Sequence, residues 1–245
     1  MLDRQNMLKE ILKKGGRRYG IELISRNSIY YPTTEDVTKW KDYKEVLSIY
    51  QETLKGDPSK FKINFQQGKV WDIVINLSGR IIAVELDEEQ HFNRYRGTTF
   101  ESKLYDRLPR YYKEVYKPYC TKYEHNCLDT ASYGRKWTGK TSKEEKAGKK
   151  SFCEKQFGQA APARDLSGTG SPRWKQRAFY DFIKDLSPLI ISVSMARISI
   201  WDEIKVKQKS FLINDILKND LLDAETLEAL ARAFVELIKN RILPI

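Results

Sequence analysis

The chain has 245 residues, 40% hydrophobic and 12% aromatic, enough to bury a sizeable core and to exclude wholesale disorder. Its formal charge of +11 favours a polyanionic partner, nucleic acid first and an anionic membrane surface second. No apolar run reaches the roughly 18 residues of a membrane span, and three cysteines make no even disulfide framework, so a reducing cytoplasm is the expected home.

Residues 1–14 read as an amphipathic helix whose stripe of Leu2, Met7, Leu8, Ile11 and Leu12 stops at Gly15-Gly16. A second helical pattern runs from Thr34 to Leu54, with Val37, Trp40, Tyr43, Val46, Leu47 and Tyr50 on one face, and ends at Gly56-Asp57-Pro58. Lys60 to Gln66 alternates and reads as a first strand. Two apolar strands follow, Val70 to Leu77 and Arg80 to Asp87, joined by the tight turn Ser78-Gly79. Together these three strands predict an antiparallel meander.

Period-2 alternation puts Glu85 and Asp87 on one face of the last strand and Val84 and Leu86 on the other. Hairpin pairing carries Asp72 back towards the same end. Three carboxylates crowded there repel one another unless a cation sits among them, and oxygen-only ligands suit Mg²⁺ or Mn²⁺. Glu88, Glu89, Gln90 and His91 follow at once. The spacing therefore points to a divalent-metal phosphodiesterase site, with acidic strand ends that simply face water as the plainer alternative.

A helix is expected over 98–116, with a kink or a division into two pieces at Pro109. Residues 117–172 are rich in Lys, Gly, Ser and Thr and poor in aliphatics, and read as a long loop that is either functional or partly disordered. A helix resumes at Ser171, carries Trp174, Ala178, Phe179, Phe182, Ile183 and Leu186, and closes at Ser187-Pro188. Leu189 to Trp201 reads as one or two buried strands. Helices are expected over Ser210 to Lys218 and Ala224 to Asn240, the latter with Asp223 as N-cap. The apolar face of the final helix (Leu227, Leu230, Ala231, Phe234, Val235, Ile238) suits the core first and a two-fold dimer interface second.

This order of elements, with Asp72 and then Glu85-Leu86-Asp87, resembles the PD-(D/E)XK nuclease superfamily. Val84 to Phe92 is similar to the branch with E-x-D-G-x-x-H in place of E-x-K, which includes restriction enzymes and mismatch-repair nucleases of the very-short-patch type. Three positions depart from the pattern: Trp71 stands where the motif has proline, Asp87 where lysine is usual, and Glu88 where the branch has glycine. The resemblance implies an α/β fold, a central mixed sheet flanked by helices, in one domain over 1–245. Residues 1–58 would give the N-terminal helices, 60–116 the catalytic meander and helix, 117–172 a basic DNA-recognition insertion, and 173–245 the remaining sheet and C-terminal helices. It also implies that Asp72 and Glu85 hold Mg²⁺, that Asp87 is a further ligand or a water-orienting base, and that Gln90 and His91 position the attacking water.

Arg94 and Arg96 downstream, and Arg135, Lys136, Arg164, Arg173, Lys175 and Arg177 in and after the insertion, are candidate DNA contacts. Any one of them is more often a solvated helix charge. Cys120, His125, Cys127 and Cys153 offer three thiolates and an imidazole, a tetrahedral set for structural Zn²⁺, and the Cys-x4-His-x-Cys spacing resembles the zinc site of very-short-patch nucleases. The expected function is that of a Mg²⁺-dependent, sequence-specific endonuclease acting on double-stranded DNA as a type II restriction enzyme. The alternatives are a mismatch- or structure-specific repair nuclease and a non-catalytic DNA-binding protein.

Overall fold

Ser78 and Gly79 take φ values of 51° and 90°, left-handed at both central positions, which gives a two-residue turn whose twist matches the strands on either side. The computed structural model describes residues 3–24, 29–63, 71–218 and 223–242. The turn joins β2 (Ile73–Leu77) to β3 (Arg80–Asp87), with Leu77 opposite Arg80 and Ile73 opposite Val84. A short strand, β1 (Ile21–Leu23), pairs antiparallel with β2, and β4 (Ser194–Ser199) pairs parallel with β3. The sheet is therefore mixed, in the order β1-β2-β3-β4. A second hairpin, β5 (Glu203–Val206) and β6 (Lys209–Leu212), forms a sheet of its own. The class is α/β, as expected.

The chain divides into two compact units, one of residues 1–31, 65–88 and 187–245, the other of 32–64 and 89–186. In the first, one face of the four-stranded sheet is apolar throughout. Ile73, Ile75, Ile82, Val84, Leu86, Ala196 and Ile198 cluster there with the stripe Met7, Leu8, Ile11, Leu12 of helix Arg4–Gly15 and with Leu230, Ala231, Phe234, Val235 and Ile238 of helix Ala224–Arg241. The apolar face of the final helix is thus spent on the core. Asp3 and Asp223 cap the two helices through the amides of Asn6 and Thr226. Leu2 lies outside the described residues.

The two helices touch at Gly15, where an added Cβ would sit 2.5 Å from Ala231 Cβ and 3.0 Å from the Leu227 carbonyl oxygen. Backbone lies on one side of that contact, so relief requires the helices to part. Gly15→Ala is expected to destabilise the protein by about 1–3 kcal/mol, despite alanine's better helix propensity; a urea midpoint equal to or above that of the parent would refute the close packing.

The second unit is helical: Thr34–Lys39, Tyr43–Ser48, Arg94–Thr99, Lys117–Lys122, Glu124–Ala131, Gly134–Thr138, Ser142–Lys146, Phe152–Phe157 and Pro172–Asp185. Its core is largely aromatic. Tyr50 lies 5.0–5.2 Å, ring to ring, from Phe61, Phe157 and Phe179, and Trp137 meets Trp174 edge-on at 5.2 Å. Among the described residues no helix is long and apolar enough to cross a membrane.

Several expectations are corrected. Lys60–Ile63 form no strand; Thr34 Oγ1 accepts from the Ile63 amide and donates to its carbonyl, and the Phe61 ring packs into the aromatic core. Residues 64–66 of that predicted strand lie outside the described residues, and the antiparallel neighbour of β2 is β1. The helix expected over 98–116 is interrupted at Pro109, before which Leu108 is extended, and resumes as a helical stretch at Tyr112–Tyr116, but its first part is not one helix: helix Arg94–Thr99 ends and a tight 3-10 turn follows at Lys103–Arg107. The segment expected to loop over 117–172 holds five short helices, because tryptophans rather than aliphatics supply its core. Capping boxes at Thr141/Glu144 and Ser151/Glu154 start two of them. Finally, Lys209–Leu212 is strand, and the helix begins only at Ile213.

Candidate functional site

The other face of the sheet changes character along its length. At one end Val74, Ala83 and Met195 cluster with Trp71 and Tyr31. Two residues further along β3 and β4 the same face carries Glu85 and Arg197, with Asp87 two residues beyond Glu85, because alternation leaves those positions no choice of side, and Asp72 sits in the bend just before β2. Glu85 stands directly opposite Arg197, and Asp87 opposite Ser199.

Asp72 and Glu85 are brought together as expected. The Asp72 amide donates to Glu85 Oε1 at 3.4 Å, and Asp72 Oδ2 accepts from the Leu86 amide at 3.0 Å. Gln5 on the N-terminal helix donates to the Asp72 carbonyl at 2.9 Å and fixes the loop from that side. Glu85 is 2% exposed, whereas Asp72 is half-buried. Both carboxylates offer only oxygen donors, the ligand type that hard cations such as Mg²⁺ or Mn²⁺ take.

Asp87 has a different partner. It is 1% exposed, and Arg197 Nη1 donates to its Oδ1 at 2.6 Å. Arg197 itself is wholly buried. In the low-dielectric interior this pair neutralises the third carboxylate, so the crowding inferred from the sequence reduces to Asp72 and Glu85. Arg197 was not legible as a partner, since nothing in the order of residues says which cation a distant parallel strand will place opposite Asp87.

In the second unit, Gln90 and His91 lie in a short turn, Glu89–His91. His91 Nδ1 is 2.8 Å from Asp181 Oδ2, and Asp181 is 2% exposed on helix Pro172–Asp185. The buried carboxylate fixes the orientation of the ring through Nδ1 and leaves Nε2 as the other nitrogen open to proton exchange. Sequence reasoning missed Asp181; its signal was an acidic residue within the apolar face of a helix. Gln90 is half-buried, and its carbonyl accepts from Asn93 Nδ2 at 3.4 Å.

The cysteine and histidine set does not converge. Cys120, Cys127 and Cys153 are buried while His125 is exposed, and no three of them bring ligand atoms within 4.8 Å of one another. Cys153 Sγ donates to Gln176 Oε1 at 3.0 Å. Burial pushes the Cys127 thiol up to about 12, which keeps it protonated and apolar. Treatment with 1,10-phenanthroline is therefore expected to leave the thermal midpoint within about 1 °C of its untreated value; a fall of several degrees would show that thiols hold a structural metal.

The candidate DNA contacts sort by exposure. Arg135, Lys136 and Arg164 are exposed, Lys136 donating to the Thr130 carbonyl and Arg164 pairing with Asp129. Arg94, also exposed, is held by both oxygens of Glu124. Arg173 and Arg177 are half-buried. Two expectations are corrected: Arg96 and Lys175 are not surface charges. Arg96 is 2% exposed and bonds Asp185, the Tyr105 hydroxyl and Thr99 Oγ1, an interior brace. Lys175 is 4% exposed, its ammonium 5.4 Å from the centroid of the Tyr95 ring.

No curated protein and no solved structure matches the chain. Residues 49–219 match a protein family, and the stretch includes Asp72, Glu85, Asp87, His91, Asp181 and Arg197. The chain belongs to that family, described as "Family of unknown function (DUF7255)".

Proposed function

We propose that the protein is a Mg²⁺-dependent endonuclease of double-stranded DNA in the PD-(D/E)XK manner, acting in the cytoplasm as a type II restriction enzyme. The observation that carries this reading is the register of β2 and β3, which sets Asp72 against Glu85 at the charged end of one sheet face. A mixed sheet in which an antiparallel meander meets a parallel fourth strand supports it as well.

Asp72 and Glu85 hold the metal through their carboxylate oxygens. A bound Mg²⁺ supplies charge for a phosphate oxygen and a more acidic water. Asp87, tied to Arg197, keeps the last turn of β3 in register, and the guanidinium brings to this face the cation that lysine provides in E-x-K. His91, oriented through Nδ1 by Asp181, is by itself a candidate proton acceptor at Nε2. Arg135, Lys136 and Arg164 are the exposed cations available to backbone phosphates. A symmetric recognition sequence would call for a two-fold dimer.

The test is incubation with plasmid and phage DNA in Mg²⁺ or EDTA, read on a gel. Discrete fragments that vanish with EDTA establish a site-specific endonuclease. Cutting confined to mismatched or branched duplexes replaces it with a repair nuclease. DNA that is retarded but intact with Mg²⁺ and with Mn²⁺ rejects catalysis in favour of a binding protein.

A further inference from the structure

Of the tyrosines among the described residues, only Tyr30 and Tyr133 are exposed, by 60% and 55%. A single exposed ring is ordinary; what sets Tyr133 apart is how it is held. The main chain around it is fastened on both sides. Trp174 Nε1 donates to the Ala131 carbonyl at 3.1 Å, the Lys136 amide to the Tyr133 carbonyl at 3.1 Å, and Thr138 Oγ1 to the Gly134 carbonyl at 3.2 Å. Trp137 follows, buried against Trp174 in the core of the second unit. A stiff loop therefore presents an aromatic ring to water although an aromatic core lies a few residues away.

A cation accompanies the ring. Lys136 Nζ donates to the Thr130 carbonyl at 3.0 Å and to the Tyr133 hydroxyl at 3.4 Å, and it lies 5.2 Å from the centroid of the Tyr133 ring. Arg135 beside it is exposed. Gly134 sits at φ 47°, and a Cβ built on it would meet nothing within 4 Å, so the chain next to the tyrosine is open to a close approach. The stretch that begins here, residues 133–150, carries seven lysines and arginines against two glutamates. An exposed ring at the head of so positive a segment complements a ligand that is flat and anionic at once.

We propose that Tyr133, Arg135 and Lys136 form a binding site for an unpaired nucleotide, its base stacked on the phenol ring and its phosphates met by the two cations. Every base has a π-face, so such a platform selects unpaired structure rather than sequence. Within a perfect duplex the base faces are covered by their neighbours, and a base must leave the stack before a side chain can lie against it. The inference shares the nucleic-acid partner of the nuclease reading but requires no cleavage.

The experiment is fluorescence anisotropy of a labelled oligothymidine, and of a perfect duplex of equal length, titrated with the full chain in EDTA. The proteins are the parent, Tyr133→Ala, Tyr133→Trp, Lys136→Gln and, as a matched exposed tyrosine, Tyr30→Ala. Tyr133→Ala should bind oligothymidine on the order of tenfold more weakly than the parent, with Tyr133→Trp and Tyr30→Ala close to the parent and a smaller loss on the duplex. The phenol carries no charge, so Tyr133→Ala should leave the salt dependence unchanged, whereas Lys136→Gln should flatten the slope of log K against log salt by about 0.7. Oligothymidine binding unchanged in Tyr133→Ala, an equal loss in Tyr30→Ala or on the duplex, or no binding of oligothymidine by the parent overturns the site. Those results leave the nuclease reading standing where the parent cuts duplex DNA with Mg²⁺. A parent that cuts nothing, yet loses oligothymidine with Tyr133→Ala, keeps the site and rejects the nuclease.

Discussion

Asp72→Asn and Glu85→Gln are each expected to lower Mg²⁺-dependent DNA cleavage by about 10³-fold or more while leaving DNA retention unchanged. Each substitution keeps the shape of the side chain and removes one anionic ligand, and metal charge at a phosphoryl oxygen is worth several kcal/mol, each ~1.4 kcal/mol being a factor of ten in rate. The Leu86 amide now donates to Asp72 Oδ2, and Asp72→Asn leaves a side-chain carbonyl oxygen to accept that bond, so the open end of the β2–β3 hairpin should hold. Measurement requires cleavage rate against Mg²⁺ concentration, gel retardation in Ca²⁺, and circular dichroism to show an unchanged fold. Cleavage within a few-fold of the parent in both variants would remove these carboxylates from the chemistry, and the nuclease reading would lose its centre.

Arg197→Met should be the most damaging of the single substitutions to stability, by about 3–5 kcal/mol, or on the order of 10 °C in thermal midpoint. The guanidinium is wholly buried beside an Asp87 carboxylate that is 1% exposed, so its loss strands a charge in the interior. The double variant Asp87→Asn with Arg197→Met removes both charges and is expected to recover part of the loss, a coupling that a double-mutant cycle reads directly. Equal urea midpoints for the parent and Arg197→Met would mean that the pair contributes nothing, and the view of Asp87 as a neutralised carboxylate would fall. Activity and stability separate the two kinds of acidic residue: Asp72 and Glu85 should matter to cleavage, Asp87 to folding.

The hairpin and the sidedness of β3 were legible because they rest on local rules. A Ser-Gly turn between apolar runs fixes the register, and alternation then places Asp72, Glu85 and Asp87 on one face without reference to anything distant. The N-terminal helix and the Asp223 cap were legible for the same reason. What escaped was either non-local or carried by unfamiliar chemistry. β1 has three residues and no strand signature, and is a strand because β2 offers it an edge. The β5–β6 turn uses Lys207 and Gln208 at φ 48° and 68°, where Asn and Gly would have announced it. The segment after Lys117 looked coreless because aliphatics were counted, whereas Trp137 and Trp174 fill its interior. Phe61 and Ile63 mimic a strand's alternation, but Phe61 belongs to a helical core, as its ring contacts with Tyr43, Tyr50 and Phe179 show. The Arg197–Asp87 and His91–Asp181 contacts join residues far apart in sequence, and no periodicity encodes such a meeting.

The sheet is stitched from distant stretches, and that has a consequence for the newborn chain. β2 and β3 leave the ribosome early, but β3 finds its parallel neighbour only when Ser194 to Ser199 have been made, and Gly15 meets Ala231 later still. The residues of the second unit, 89–186, emerge in between, so that unit can gather its aromatic core while Asp87 still waits for Arg197. Loop closure over so long a span is slow. Synthesis therefore imposes a delay, and the charged end of the sheet, where Asp87 meets Arg197, is among the last parts of the molecule to form.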